Sequence, residues 1–213
     1  MLNPITRADF LRLTAMSASL LLIPNLARAD DNEITRDMIL SDPDAPVAGN
    51  PDGDLTIVDF FDYNCPYCKM AAKSLEKIVK TDGNIRLVYK DWPILAETSI
   101  VGARLALGAK YQDQYLPVHH ALMDIPGYGI SQEQMLNAVR KAGVDQPRLD
   151  ADMATHADDI LRLVKRNLNI AEAIGLQGTP GFLVGAYKVN QALNYDGFVR
   201  VVADARARAK SSK

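Results

Sequence analysis

A strand that runs straight into a helix constrains this chain more than any other stretch. Leu55-Thr56-Ile57-Val58-Asp59-Phe60-Phe61 is apolar or β-branched at six of seven positions, the pattern of a buried strand. After the turn Asp62-Tyr63-Asn64, Ala71, Leu75, Ile78 and Val79 recur at helical spacing, with Lys69, Lys73, Glu76 and Lys77 between them. Pro66 falls in the first turn, where a missing N–H costs nothing. Asp82-Gly83-Asn84 ends the helix, and Ile85-Arg86-Leu87-Val88-Tyr89 reads as a second strand. Strand, helix and strand in that order make a right-handed parallel crossover, so an α/β fold is expected.

The helix opens on the only two cysteines of the 213 residues, in Cys65-Pro66-Tyr67-Cys68. Cys65 stands at the helix N-terminus, where unpaired N–H groups and the macrodipole favour negative charge. Cys68 lies one turn further in. The thiolate is the reactive form, so Cys65 is expected to attack and Cys68 to resolve. A disulfide between them closes too short a loop to brace the fold, and it exchanges readily. A structural zinc ion wants four ligands, and His119, His120 and His156 offer no familiar spacing to complete them. Lys69, in place of a histidine after Cys68, excludes haem attachment. Capture of a soft ion such as Cu(I) by the two thiolates is the competing use. No metal site and no cofactor is expected.

From Ala96 to about Gly175 the pattern is helix after helix, with expected spans 99–110, 111–123, 131–142, 147–153 and 158–174. Strand texture returns at Phe182-Leu183-Val184, and Gly185-Ala186 is a hairpin turn into Tyr187-Lys188-Val189. A last helix is expected from Tyr195 to about Ala207, with Lys210-Ser211-Ser212-Lys213 disordered. The stretch Asp30 to Asp54 is rich in Asp, Pro, Gly and Asn around one apolar step, Met38-Ile39-Leu40. It reads as a solvated lead-in with one edge strand. The expected division is a lead-in at 30–49, α/β pieces at 50–95 and 176–209 that complete one sheet, and a helical block at 96–175.

Residues 1–29 are expected to be an export signal. Arg7 and Arg12 mark a charged beginning, Ala15 to Ile23 an apolar core, and Ala27-Arg28-Ala29 a small-x-small cleavage site. The core is too short to span a bilayer. Thr6-Arg7-Ala8-Asp9-Phe10-Leu11 is similar to a twin-arginine signal that lacks its second arginine. Cleavage removes three arginines and one aspartate, and takes the net charge from −2 to about −4. So mildly acidic a chain, with no basic stripe, is not expected to bind nucleic acid. Export would put the thiols in an oxidising compartment, where a lone C-x-x-C serves better as a tool than as a brace.

Phe60-Phe61-Asp62-Tyr63-Asn64-Cys65-Pro66-Tyr67-Cys68-Lys69, Trp92-Pro93-Ile94-Leu95 and Gly178-Thr179-Pro180-Gly181 together resemble the DsbA-like thiol–disulfide oxidoreductases. The likeness is strongest to the branch that holds the ScsC proteins, and it covers nearly all of the chain after residue 29. It implies a thioredoxin-like fold with an inserted all-helical domain. It also implies a periplasmic enzyme that exchanges disulfides with exported protein substrates. Asp59 matches the buried carboxylate that thioredoxin-like proteins place behind the resolving cysteine, where it would move a proton to or from Cys68. Lys90 is its expected partner. Pro180 matches the family's cis-proline, which turns the backbone of Thr179 toward a substrate peptide beside Cys65. Pro66, Tyr67, Thr179 and Pro180 are thus the implied substrate-binding residues. His119, His120 and Tyr128 are expected near the site as packing residues.

Two positions depart from DsbA. Tyr67 stands where DsbA has a histidine, and Thr179 where it has a valine. Both are expected to make the site less oxidising than DsbA and to favour isomerisation or reduction, with a dithiol oxidase of the DsbA type as the alternative. Too few residues lie between the signal and Cys65 for a dimerisation arm, so a monomer is expected, reset by a membrane redox partner. Two other classes stay open, a copper-tolerance module using the same thiols and a holdase chaperone using none.

Overall fold

A computed structural model describes residues 34–211, and the export signal expected over 1–29 lies outside them. The described residues start with helix α1 (Arg36–Leu40) and strand β1 (Val47–Gly49), then β2 (Leu55–Phe61), helix α2 (Pro66–Asp82) and β3 (Ile85–Asp91). Five helices follow without an intervening strand: α3 (Glu97–Ala109), α4 (Tyr115–Met123), α5 (Gln132–Lys141), α6 (Gln146–Thr155) and α7 (Ala157–Ala173). The hairpin β4 (Gly181–Val184) and β5 (Tyr187–Val189) and helix α8 (Tyr195–Ser211) complete the described chain. The five strands form one sheet in the order β1-β3-β2-β4-β5, with β2 and β3 parallel and every other pair antiparallel.

The two central strands are buried on both faces, which is why neither alternates with polar residues. Ile57, Phe61, Leu87 and Tyr89 enter the larger core with Leu75 and Ile78 of α2 and Phe198 and Val202 of α8. Val58, Phe60 and Val88 point the other way, to Trp92 and to Ile170 and Ala171 at the end of α7. Helix α7 therefore serves both cores, since its earlier residues Ile160, Leu163 and Val164 belong to the first. Gly83 ends α2 in the left-handed region (φ 71°), which a residue without Cβ adopts freely.

Four expectations need correction. Within the lead-in expected to be solvated, the apolar step Met38-Ile39-Leu40 is helical, and Thr35 Oγ1 caps the turn by accepting the Met38 N–H at 3.2 Å. The edge strand expected in this stretch is Val47–Gly49, paired antiparallel with β3. The helix expected over 111–123 is broken at Asp113, which adopts φ 59°; an aspartate tolerates that conformation better than a branched residue would. Helix α8 runs on through Lys210 and Ser211.

The fourth correction concerns Lys90, which does not meet Asp59. In the parallel register Asp59 stands beside Tyr89 and Phe60 beside Lys90, so the pleat sends the lysine to the opposite face. There Lys90 Nζ, wholly buried, donates to Asp42 Oδ2 at 3.0 Å and to Met38 O at 2.9 Å. Arg166 of α7 binds Asp42 through two nitrogens at 2.8 and 2.7 Å, and reaches Asp44 at 2.8 Å. This ion cluster anchors the segment before β1 to the sheet and to α7. Asp42→Ala should cost about 3–5 kcal/mol in chemical denaturation, because it strands the Lys90 ammonium away from water. The double variant Asp42→Leu/Lys90→Met should recover most of that loss.

Candidate active site

Cys65 ends the turn and is the N-cap of α2. Its backbone is extended (φ −85°, ψ 112°), and its Sγ accepts the Cys68 N–H at 3.1 Å. Two polar side chains hold the turn ahead of it. Asp62 Oδ1 accepts the Asn64 N–H at 2.7 Å, while its Oδ2 accepts the N–H groups of Ile94 and Leu95 at 2.7 and 2.9 Å. The Asn64 amide donates to Thr98 Oγ1 and Ser99 Oγ, each at 3.1 Å, and its oxygen accepts the Ile130 N–H at 2.8 Å. Between them, Tyr63 packs on Gly102, where a Cβ would come within 2.8 Å of the ring. Three separate segments of the chain thereby fix one loop.

The two sulfurs are unbonded and unequal. The pKa of Cys65 is lowered to about 6, chiefly by a hydrogen bond from the Cys68 thiol; backbone N–H groups of Cys68 and Tyr67 add to this and burial opposes it. Burial pushes the Cys68 thiol well up, and the neighbouring Cys65 adds to the shift. The arrangement therefore places negative charge on Cys65 and keeps the proton on Cys68. Cys65 Sγ also lies 3.3 Å from the carbonyl oxygen of Thr179, whose peptide bond to Pro180 is cis. Beside this contact opens a groove of about 540 Å³ lined by Tyr67, Met70, Thr179, Pro180, Gln191 and Ala192. Tyr67 and Met70 are 62% and 67% exposed, so the groove presents apolar side chains next to an acidic thiol. Pro66, at the first position of α2, is exposed.

The helical segment reaches this site from the other side. Lys69 Nζ donates to the carbonyls of Ile125 and Gly127 at 2.6 and 3.0 Å, and Tyr128 Oη donates to Leu95 O at 3.1 Å. His119 is buried and shares a hydrogen bond of 3.1 Å with Tyr63 Oη, whereas His120 pairs with Glu76 of α2 at 3.2 Å.

Asp59 lies on the α2 face of the sheet, 5% exposed, and its Oδ1 has no hydrogen-bond partner. Burial raises its pKa well above the usual carboxylate range, and the charges of Cys65 and Asp91 raise it further. Asp91 is a second buried acid on that face, and the sequence reading passed over it. The signal was available: Ile85, Leu87, Tyr89 and Asp91 continue one alternation, so an acid at the fourth position shares the buried side. The residues of the groove beyond Thr179 were also missed, since nothing local ties Gln191 and Ala192 to α2.

A buried carboxyl that holds its proton loses stability as pH rises. The unfolded chain releases that proton near pH 3.8 and the folded one does not, so stability falls from about pH 4 upward until the folded group ionises. Asp59→Asn removes this loss. Its stability advantage over the parent, measured by urea unfolding of the reduced proteins, should be smallest at pH 4 and grow toward pH 8, by at most about 1.4 kcal/mol per pH unit.

A family model described as thioredoxin matches residues 41–204. The chain superposes on a thioredoxin-like oxidoreductase from Silicibacter pomeroyi DSS-3 with a TM-score of 0.76 and 39% identity, over 82% of this chain and 99% of that one. A periplasmic thioredoxin-like protein from Salmonella enterica serovar Typhimurium gives a TM-score of 0.73 at 31% identity, over 82% and 99%. The catalytic domain of Proteus mirabilis ScsC gives 0.73 at 28% identity, over 80% and 94%. Curated relatives include the Na(+)/H(+) antiporter NhaA 1 of Mycobacterium sp. strain KMS, 29% identical over 162 residues that make up 75% of this chain and 25% of the antiporter. The chain thus spans about a quarter of the length of such relatives. Among the described residues no helix is long and apolar enough to cross a membrane.

Proposed function

We propose, from the premise that this chain belongs to the thioredoxin family and within it to the DsbA-like oxidoreductases, that it exchanges disulfides with cysteine-containing exported proteins. One observation carries the reading. A low-pKa sulfur caps a helix beside an open apolar groove, with a second, proton-holding sulfur one turn behind it. The Cys65 thiolate attacks one sulfur of a substrate disulfide, that bond breaks, and the substrate's other sulfur leaves as a thiolate. Cys68 then attacks the Cys65 sulfur, giving up its proton to Asp59 once that carboxyl has released its own to solvent. The substrate's second sulfur leaves, and a Cys65–Cys68 disulfide remains. Run backward, the same steps oxidise a dithiol substrate.

In this reading Pro66, Tyr67, Thr179 and Pro180 hold the substrate peptide, supported by the groove that Tyr67, Thr179 and Pro180 line and by the exposure of Pro66 next to Cys65. Residues 50–95 and 176–209 act as the thioredoxin-like domain, and 96–175 as its helical insertion. The protein works as a monomer in the periplasm and is reset by a membrane redox partner; the periplasmic relative from Salmonella supports the compartment.

The direction is read from two residues. Tyr67 and Thr179 stand where DsbA has a histidine and a valine, so no histidine charge adds to the helix N-terminus in stabilising the Cys65 thiolate. The less a thiolate is stabilised, the less the reduced form is favoured, so the site should be less oxidising than DsbA and turned toward shuffling substrate disulfides.

Equilibration with glutathione redox buffers measures the potential, and a value at or above that of DsbA would return the protein to the oxidase class. Thiolate absorbance should titrate with a midpoint of about 6 in the reduced protein and vanish in Cys65→Ser. Cys68→Ala should accumulate substrate adducts on non-reducing gels that reductant removes. Folded Cys68→Ala protein with no adducts would overturn the exchange reading.

A further inference from the structure

Asp59 and Asp91 share the α2 face of the sheet on adjacent strands. Asp59 is level with Tyr89 and Asp91 with Phe61, two residues along, so the two residues are diagonal neighbours on one face, and both are buried. Each has a buried Oδ1 without a hydrogen-bond partner among the described residues. Two anions cannot both stand unpaired in such a space, so one of the acids holds a proton. The hydrogen bonds say which. Asp91 Oδ2 accepts the Tyr115 hydroxyl at 3.1 Å, and its own backbone N–H also favours the anion.

We propose that Asp91 is a positioning residue for the exchange reaction: held as the anion by Tyr115, it keeps the neighbouring Asp59 protonated, so that a proton is at hand for the Cys68 sulfur. This rests on the exchange reading above. When a substrate thiolate attacks Cys65 of the oxidised site, the Cys65–Cys68 bond breaks and Cys68 leaves as a thiolate. It takes the Asp59 proton, and Asp59 becomes the carboxylate. In the resolving direction Cys68 returns that proton to Asp59. The anion at Asp91 makes Asp59 the stronger base and so brings its proton affinity closer to that of the buried Cys68 thiol.

The surrounding groups leave this pairing in charge. From α2, Cys65 and Cys68 face Asp59, and Glu76 acts on Tyr89. The turn brings Asp62 and Tyr63 to Asp91, and β3 brings Tyr89 beside Asp59. Helix α4 adds Tyr115 and His119; burial lowers the histidine pKa to about 3, so it is neutral. On β4 the residue level with Asp59 is Phe182, which carries no charge. Asn167 of α7 donates to the Asp91 carbonyl oxygen rather than to its carboxylate. Lys90, the nearest buried cation in sequence, lies on the other face with Asp42. Burial raises the pKa of Asp91 to about 7 against the pull of Tyr115, so it carries its charge above that pH, while burial and the charges of Cys65 and Asp91 raise that of Asp59.

Carbon-13 labelling of aspartate carboxyls lets NMR follow Asp59 directly, with Asp59→Asn identifying its signal. In Asp91→Asn the Asp59 midpoint should fall by on the order of one pH unit or more. The pH profile of single-turnover opening of the Cys65–Cys68 disulfide by a thiol peptide should shift down with it. Tyr115→Phe preserves the packing and removes the donor, so it should lower the Asp59 midpoint in the same sense while raising that of Asp91. This second variant decides the matter if Asp91→Asn does not fold. An Asp59 midpoint equal to the parent's in the folded variants would overturn the role of Asp91, as would a higher midpoint for Asp91 than for Asp59 in the parent. Failure of the parent to form any mixed disulfide, with these midpoints shifting as stated, would instead overturn the exchange reading alone.

Discussion

The redox end of the molecule hangs on two polar side chains in the turn before Cys65. An N-cap sulfur is stabilised by helix N–H groups only while the cap stays in place, and a four-residue connection has no rigidity of its own. Asp62 and Asn64 supply it, through hydrogen bonds to Ile94, Leu95, Thr98, Ser99 and Ile130. Those partners come from the segment after β3, the start of α3 and the entry to α5. Both side chains are buried, so losing a bond leaves a polar group with no water to replace it.

That requirement explains why the helical segment is built into the site and does not merely decorate it. It contributes Thr98, Ser99 and Ile130 to the turn, the Ile125 and Gly127 carbonyls to Lys69, and Tyr115 to Asp91. Helix α7 then closes the opposite face of the sheet with Ile170 and Ala171. A sheet of five strands with two members buried on both faces needs cover on both sides, and here the short α1 cannot provide it alone.

The pleat sorts the buried charges. Asp59 and Asp91 occupy one face, where no cation among the described residues neutralises them and burial raises their pKa values. Lys90, one residue from each neighbour on β3, occupies the other and is neutralised by Asp42. Moving the β2–β3 register by one residue would pair Lys90 with Asp59 and would leave Asp42 and Arg166 without their lysine. The titrating behaviour behind Cys68 thus depends on a one-residue alternation that also fixes where the segment before β1 docks.

Much of this was legible in the sequence, because its signals are local. The apolar run into a helix opening on Cys65 sets strand, turn and thiol order through hydrogen bonding and dipoles within about twenty residues. The helical block and the closing hairpin follow from periodicity and from Gly and Pro punctuation in the same way. What the chain alone left open depends on partners distant in sequence. Lys90 was assigned to Asp59 because they sit at comparable ends of adjacent strands, and only the register shows that they face apart. Met38-Ile39-Leu40 became helical because an apolar step needs a surface to cover, and Val58, Phe60 and Val88 supply one only once the sheet exists. The place of Thr179 beside Cys65, 114 residues apart, was suggested by resemblance and set by β4 pairing with β2. Local chemistry therefore determined which sulfur would carry charge. The tertiary structure decided which acids, which groove and which helices would stand around it, because burial and electrostatic coupling exist only between groups that folding has brought together.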